Sequence, residues 1–176
     1  IKYYNAFRVS DLLLQLEYNH VRPYVYSHSV PLTNYGHNNQ SIGHQWGGNF
    51  KELIAIARYH KGRYFADAKV TMGTRGLDFD ASENNFNYGG NIYKDYDENR
   101  PFDTDVKVGQ GNKTAVFIAD FQWGYLVNPA TNLKIFGSYI YRSFDPAKNT
   151  VSTFSESTNW LTLGLRADVF NWYFDY

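Results

Sequence analysis

The breaks in this chain alternate between short and long. Segments with a two-residue apolar/polar period are separated by short breaks at Ser10-Asp11, Lys61-Gly62-Arg63 and Asn128–Asn132. Between those fall long breaks at 20–49, 78–112 and 145–157. A period of two places successive side chains on opposite faces of a strand. Strict parity of connection length then means antiparallel strands running up and down, with tight turns at one end and long loops at the other.

The strands follow from the pattern. Ile1–Val9 is β-prone, and Leu12, Leu14, Leu16 and Tyr18 oppose Gln15, Glu17 and Asn19. The run from Phe50 to Lys61 also fits an apolar helical face, but the turn residues after it and a well-matched partner strand favour a strand. In that partner, Tyr64, Ala66, Ala68, Val70 and Met72 oppose Asp67, Lys69, Thr71 and Arg75. Ala115, Phe117, Ala119, Phe121, Trp123 and Tyr125 oppose Asp120 and Gln122, and Leu133–Phe144 sets Ile135, Tyr139 and Tyr141 against Lys134, Ser138 and Arg142. The last strand begins near Thr158, with Leu161, Leu163 and Leu165 opposing Trp160, Thr162, Arg166 and Asp168.

Charges on the inner side of a strand are costly in a dry core but ordinary in a polar barrel lumen. Glu17, Asp67, Lys69, Arg75, Asp120, Arg142, Arg166 and Asp168 are therefore expected to face a lumen and to fill it by mutual ion pairing. The strands exceed the roughly 9–11 residues that cross a bilayer at a tilt. The expected fold is all-β, an antiparallel up-and-down transmembrane β-barrel occupying residues 1–176 as a single domain. About seven strands are visible, and bacterial single-chain barrels close with even numbers. The chain begins in mid-pattern without a signal peptide, so the expectation is the C-terminal portion of a larger barrel. Its final aromatic strand resembles the signal read by the barrel-assembly machinery, and loop parity puts Tyr176 at the periplasmic rim.

Composition narrows the function classes. Aromatic residues make up 19%, including 16 Tyr, whereas charged residues make up only 19% and mean hydropathy is −0.52. That balance suits a transmembrane barrel, and composition by itself also suits a soluble lectin-like β-sandwich. Seventeen basic and seventeen acidic residues give a formal net charge of +0, so no basic field is offered to nucleic acid. Cys is absent, which removes disulfides and thiolate chemistry.

Arg22-Pro23-Tyr24, Tyr26-Ser27-His28, Tyr35, His37, Asn39-Gln40, Gly43-His44, Gly47 and Asn49 resemble the C-terminal part of the Wzi-type capsule assembly family, in the branch found in Bacteroidetes that includes gliding-motility outer-membrane proteins. Leu14–Asn19, Gly164-Leu165-Arg166, Phe170-Asn171 and Tyr173-Phe174-Asp175 look similar as well. The resemblance implies a large, non-enzymatic barrel of the bacterial outer membrane that binds cell-surface polysaccharide and helps anchor capsule. Its partners would be outer-membrane lipid and capsular polysaccharide, with no cofactor. A structural subunit of a gliding-motility or secretion complex, holding other outer-membrane proteins, is the alternative.

The candidate sites lie in the long loops. Tyr24, Tyr26, Tyr35 and Trp46 can stack on sugar rings, with Arg22, Asn39 and Gln40 binding hydroxyls or uronate carboxylates, and His28, His37 and His44 beside them. The competing reading is a loop that folds into the lumen, with its aromatics as a small core of its own. The histidines lack the spacing of a preformed metal site. Asp78, Asp80, Glu83, Asp95, Asp97, Glu98, Asp103 and Asp105 lack the spacing of a calcium loop and suit a solvated surface. Ser27-His28 and Ser41 with His44 occur without the context of a nucleophile elbow, so no catalytic residue is assigned.

Overall fold

The fold rests on one continuous register of backbone pairing. In the computed structural model, which describes residues 1–168, seven antiparallel strands pair in chain order as a meander. These are β1 (Lys2–Tyr4), β2 (Leu12–Val21), β5 (Phe50–Lys61), β6 (Tyr64–Leu77), β7 (Asn112–Asn128), β8 (Leu133–Pro146) and β9 (Glu156–Arg166). The two remaining strands, β3 (Gly36–His37) and β4 (Gln40–Ser41), form a separate hairpin inside the first long loop. The connections keep the expected parity, with long loops at 22–49, 78–111 and 147–155. The segment Phe50–Lys61 is a strand paired along its whole length to β6, not a helix. Among the described residues, β1 and β9 each have a single neighbour in the sheet.

Cross-strand partners share a face, so the register decides what each face contains. One row runs Leu16, Ala55, Val70, Ala119 and Tyr141. The neighbouring rows add Leu14, Tyr18, Leu53, Ala57, Ala68, Met72, Phe117, Phe121, Tyr139, Leu161 and Leu163. From Tyr64 to Thr74 this face of β6 is uncharged, a span of roughly 33 Å along the strand. At the tilt typical of barrels that projects to about 25 Å. Aromatic side chains bound it, with Tyr64 and Tyr125 in contact at the short-turn end (ring centroids 5.0 Å) and Phe117 and Tyr141 (6.0 Å) toward the loops.

Among the described residues, nothing covers this face. Leu161, Leu163 and Leu165 are 67%, 77% and 71% exposed, whereas the buried apolar cluster is confined to Trp46, Phe50 and Val116 on the opposite face near the long loops. Extended apolar surface of this kind is uncommon on soluble monomers.

The opposite face is mixed, with charged side chains set among Ile54, Ile56, Phe65, Ile118, Phe136 and Ile140. Glu17, Asp67, Lys69, Arg75, Asp120, Arg142 and Arg166 lie on it as expected. Asp168 does not. It lies past the end of β9, where its backbone N–H donates to Thr131 O (3.0 Å) and its Oδ2 accepts from Asn132 Nδ2 (2.8 Å), so it braces the short turn. Ion pairing among the expected lumen residues also fails to appear. Asp67 pairs with His60 at 3.1 Å, and the other six form no ion pair among the described residues.

The N-terminus departs from the strand expected over residues 1–9. Only Lys2–Tyr4 pairs with β2. Asn5, Phe7 and Arg8 then take left-handed φ values of 49°, 55° and 65° around a single 3-10 turn. Three such residues within four positions cannot continue a ladder. At the other end, residues 169–176, including Phe170, Asn171, Tyr173, Phe174 and Asp175 of the terminal aromatic pattern, lie outside the described residues.

Candidate binding cleft at the loop end

The long loops are tied to one another by buried asparagines. Asn49 is fully buried, and its Nδ2 sits 3.0 Å from each of Gly76 O, Tyr88 O and Gln110 O, while its Oδ1 accepts from the Gly109 N–H at 2.7 Å. Its backbone joins the same knot, donating to Arg22 O and accepting from the Gly76 N–H (2.8 Å). Gly76 has no alternative here, because a Cβ would come within 2.1 Å of both Asn49 Nδ2 and Gln110 O. Asn87 bridges Asp95 O and the Gly89 N–H, and Asn112 exchanges hydrogen bonds with the backbone of Lys148. The first two loops are stitched further by Tyr24 N to Gly89 O and Gly48 N to Gly90 O.

A second knot places the start of β5 beneath the first loop. Glu52 is 2% exposed, and its Oε1 accepts from Asn19 Nδ2 (2.8 Å) and meets His44 Nε2 (2.8 Å). His44 Nδ1 accepts from the Trp46 N–H at 3.1 Å, so its proton resides on Nε2 and points at the carboxylate. The imidazole also stacks over Phe50 (4.2 Å), and Trp46 meets Phe50 edge-on at 5.5 Å. This segment therefore folds onto the mixed face of the sheet and builds a small core there.

Above it lies an open cleft of about 690 Å³, within the range of ligand pockets. Its walls come from the β3–β4 hairpin (Asn39, Gln40, Ser41), the 45–47 turn, the end of β6 (Arg75, Asp78) and the second loop (Asn91, Tyr93). Arg75 donates from Nη2 to Trp46 O (3.0 Å), and its guanidinium carbon stands 5.7 Å from the centre of the Trp46 ring. Asp78 accepts from the Tyr88 N–H (2.8 Å) and from Lys94 Nζ (2.6 Å).

The residues expected to bind sugar divide accordingly. Asn39, Gln40 and Trp46 come together in the cleft, joined by Arg75, which sequence reasoning assigned to the lumen. Trp46, however, is 7% exposed, so most of its ring is unavailable as a stacking platform. Tyr26 and Tyr35 stack on each other (5.6 Å) behind the hairpin. The Tyr24 hydroxyl donates to Asn87 O (2.7 Å) and its ring lies 4.5 Å beneath Arg100. Burial pushes the Tyr24 phenol above its usual value, against the opposing pull of Arg100, so Tyr24 serves the loop core as a neutral group. Arg22 and His37 are exposed away from the cleft, and His28 packs edge-on against Tyr96 while accepting from the Val30 N–H. Ser41 and His44 share no hydrogen bond, because both imidazole nitrogens are already engaged. Among the described residues, no three His, Asp or Glu side chains converge on one point.

No family model, curated protein or solved structure matches the chain. The site is therefore read from its own geometry. Sequence reasoning missed Asn49, Gln110, Asn91 and Tyr93, although the glycines flanking them (Gly47-Gly48, Gly89-Gly90, Gly109, Gly111) mark places where backbones approach closely.

The third loop is held to the second by an acid-sensitive contact. Asp80 accepts from the Ser152 hydroxyl and from the Ser152 N–H (3.2 Å). The Ser152 hydroxyl chiefly holds the Asp80 carboxyl below its ordinary value. A depressed folded value means that the contact favours the folded loop at neutral pH. Its contribution fades as pH falls below the ordinary aspartate value of about 3.9 and is gone below the depressed one. Hydrogen exchange of residues 147–155 should thus rise between pH 5 and pH 3 relative to the intrinsic rate, both limits being approximate and set by that value. In Asp80→Asn it should be fast at both.

Proposed function

We propose that this chain forms part of a non-enzymatic outer-membrane β-barrel that binds or anchors cell-surface polysaccharide through the cleft at its loop end. The observation that carries the barrel reading is the division of the sheet: an apolar face, uncharged across the sheet from the Ala66 row to the Met72 row and bounded by Lys61 at one end and by Lys51 and Asp145 at the other, stands opposite a face bearing Asp67, Lys69, Asp120 and Arg142. A two-faced sheet of this kind is stable when lipid covers one side and water or packed polar groups fill the other. Unpaired edges are costly in lipid, so β1 and β9 would pair with further strands of the whole protein.

Polysaccharide is the ligand favoured by the cleft chemistry. Asn39, Gln40, Gln45 and Asn91 supply amide donors and acceptors suited to hydroxyls, with the aromatic residues Trp46 and Tyr93 lining the cleft beside them. The loops that frame it are cross-tied, which preorganises the walls and lowers the cost of binding.

In cells, the full-length protein should fractionate with outer membranes and migrate faster on gels before boiling than after it. Recovery in the soluble fraction without detergent would remove the barrel. Replacing Asn39 and Gln40 together with Ala should lower polysaccharide retention at least threefold while leaving that heat-dependent migration unchanged. Unchanged retention combined with loss of co-purifying outer-membrane proteins would point instead to the assembly role.

A further inference from the structure

We infer that the cleft is built for an acidic sugar, one bearing a carboxylate, sulfate or phosphate group, and that Arg75 is its anchor. This rests on the polysaccharide reading and specifies which class of glycan the site takes.

The charge balance of the cleft is the first support. Its one carboxylate, Asp78, is already matched by Lys94 at 2.6 Å and by the Tyr88 N–H. Arg75 has no such partner. No described carboxylate lies within ion-pair distance of it, and its one hydrogen bond goes to the neutral Trp46 carbonyl. Among the cleft-lining residues, Arg75 is thus the one charged side chain without an opposite charge within ion-pair distance, the buried Glu52 on the same face being held by Asn19 and His44.

The surroundings of that charge are the second support. Across the sheet Arg75 pairs with Phe50 on one side and Thr114 on the other, both fully buried and neutral. Its Nε is shut off from water without any hydrogen-bond partner. A guanidinium held away from bulk water with donors unspent is unfavourable unless something supplies the opposite charge. The planar fork suits a carboxylate, sulfate or phosphate oxygen pair better than a hydroxyl.

The third is position. Trp46 fixes the guanidinium through its carbonyl and its ring, so the group is oriented before a ligand arrives. Asn39, Gln40, Gln45 and Asn91 line the same cleft and can take the hydroxyls of the sugar that carries the acid. The exposed Arg22 lies outside the cleft and does not share this role.

The test uses the full-length protein in detergent micelles against a panel of oligogalacturonides and neutral β-1,4-galactan oligosaccharides of equal length, with poly-glutamate as an acidic peptide. The expected result is at least tenfold tighter binding of the acidic sugar than of its neutral counterpart, weakening as salt is raised. R75Q should bring the acidic sugar down to the neutral level, whereas R75K retains part of the difference. Heat-dependent migration identical to the parent shows that each variant is folded. If R75Q does not fold, the acidic-to-neutral ratio and its salt dependence in the parent protein still decide. Equal affinity for acidic and neutral sugars, or an unchanged ratio in folded R75Q, overturns the inference and leaves the polysaccharide reading standing. Binding to neither kind of sugar overturns both, as does binding to poly-glutamate alone.

Discussion

Asn49→Ala is expected to detach the long loops from one another and to cost about 4 kcal/mol of loop-end stability. The two protons of the side-chain NH2 are shared among three backbone carbonyls at 3.0 Å, and its oxygen takes one N–H, within the loop knot. Each buried backbone group left without a partner costs about 1–3 kcal/mol, and water entering the gap recovers part of that. Ala would also have to keep the left-handed φ of 56°, adding about 1 kcal/mol that Asn tolerates better. Asn49→Asp should be no milder, since it keeps the acceptor for the Gly109 N–H but turns a carboxylate toward three carbonyl oxygens. Limited proteolysis checks this directly. Cleavage should appear within 22–49 and 78–111 in both variants while the strands stay protected. A parent-like digestion pattern for Asn49→Ala would mean that the loops are held by something other than this residue.

The second large effect belongs to the opposite surface. Val70→Arg places a guanidinium in the middle of the uncharged face, flanked across the sheet by Ala55 and Ala119. If that face meets hydrocarbon, the cost is about 2–4 kcal/mol at the midplane and falls toward the interfaces, so Thr74→Arg should cost 1 kcal/mol or less, both figures approximate. If the face met water, both changes would be nearly neutral. Equilibrium unfolding in liposomes, with the two variants beside the parent, separates these cases by the depth dependence alone.

How much of this was legible before the structure varies by element, for physical reasons. Strands β2 and β5 to β9 followed from alternation and from their partners, because a pleated backbone leaves a side-chain period of two regardless of what lies beyond the sheet, whereas the β3–β4 hairpin inside the first long loop was not foreseen. Loop parity survived for the same reason, and even the ambiguous Phe50–Lys61 settled as a strand once its partner was identified. The loop interior was not legible. Asn49 touches residues 27, 39 and 61 positions away, and nothing local in Gly47-Gly48-Asn49 announces those partners. Trp46 was expected to stack on sugar, but its ring instead fills the core above Phe50. Arg75 was expected in a lumen of paired charges, and it lies on that face but at the cleft, with no ion pair among the described residues. Asp168 continued the alternation on paper, but β9 ends at Arg166, and the side chain turns to Asn132.

The absence of Cys makes the central claim directly measurable. Single cysteines at positions 66 to 72 of β6, introduced one at a time into the full-length protein in liposomes and spin-labelled, report their surroundings through collisions with oxygen and with a water-soluble nickel chelate. The expected result is strict alternation. Labels at Ala66, Ala68, Val70 and Met72 should be oxygen-accessible and shielded from nickel, and labels at Asp67, Lys69 and Thr71 the reverse. Equal nickel accessibility along the whole strand would contradict a sheet that crosses the membrane with its apolar face in lipid.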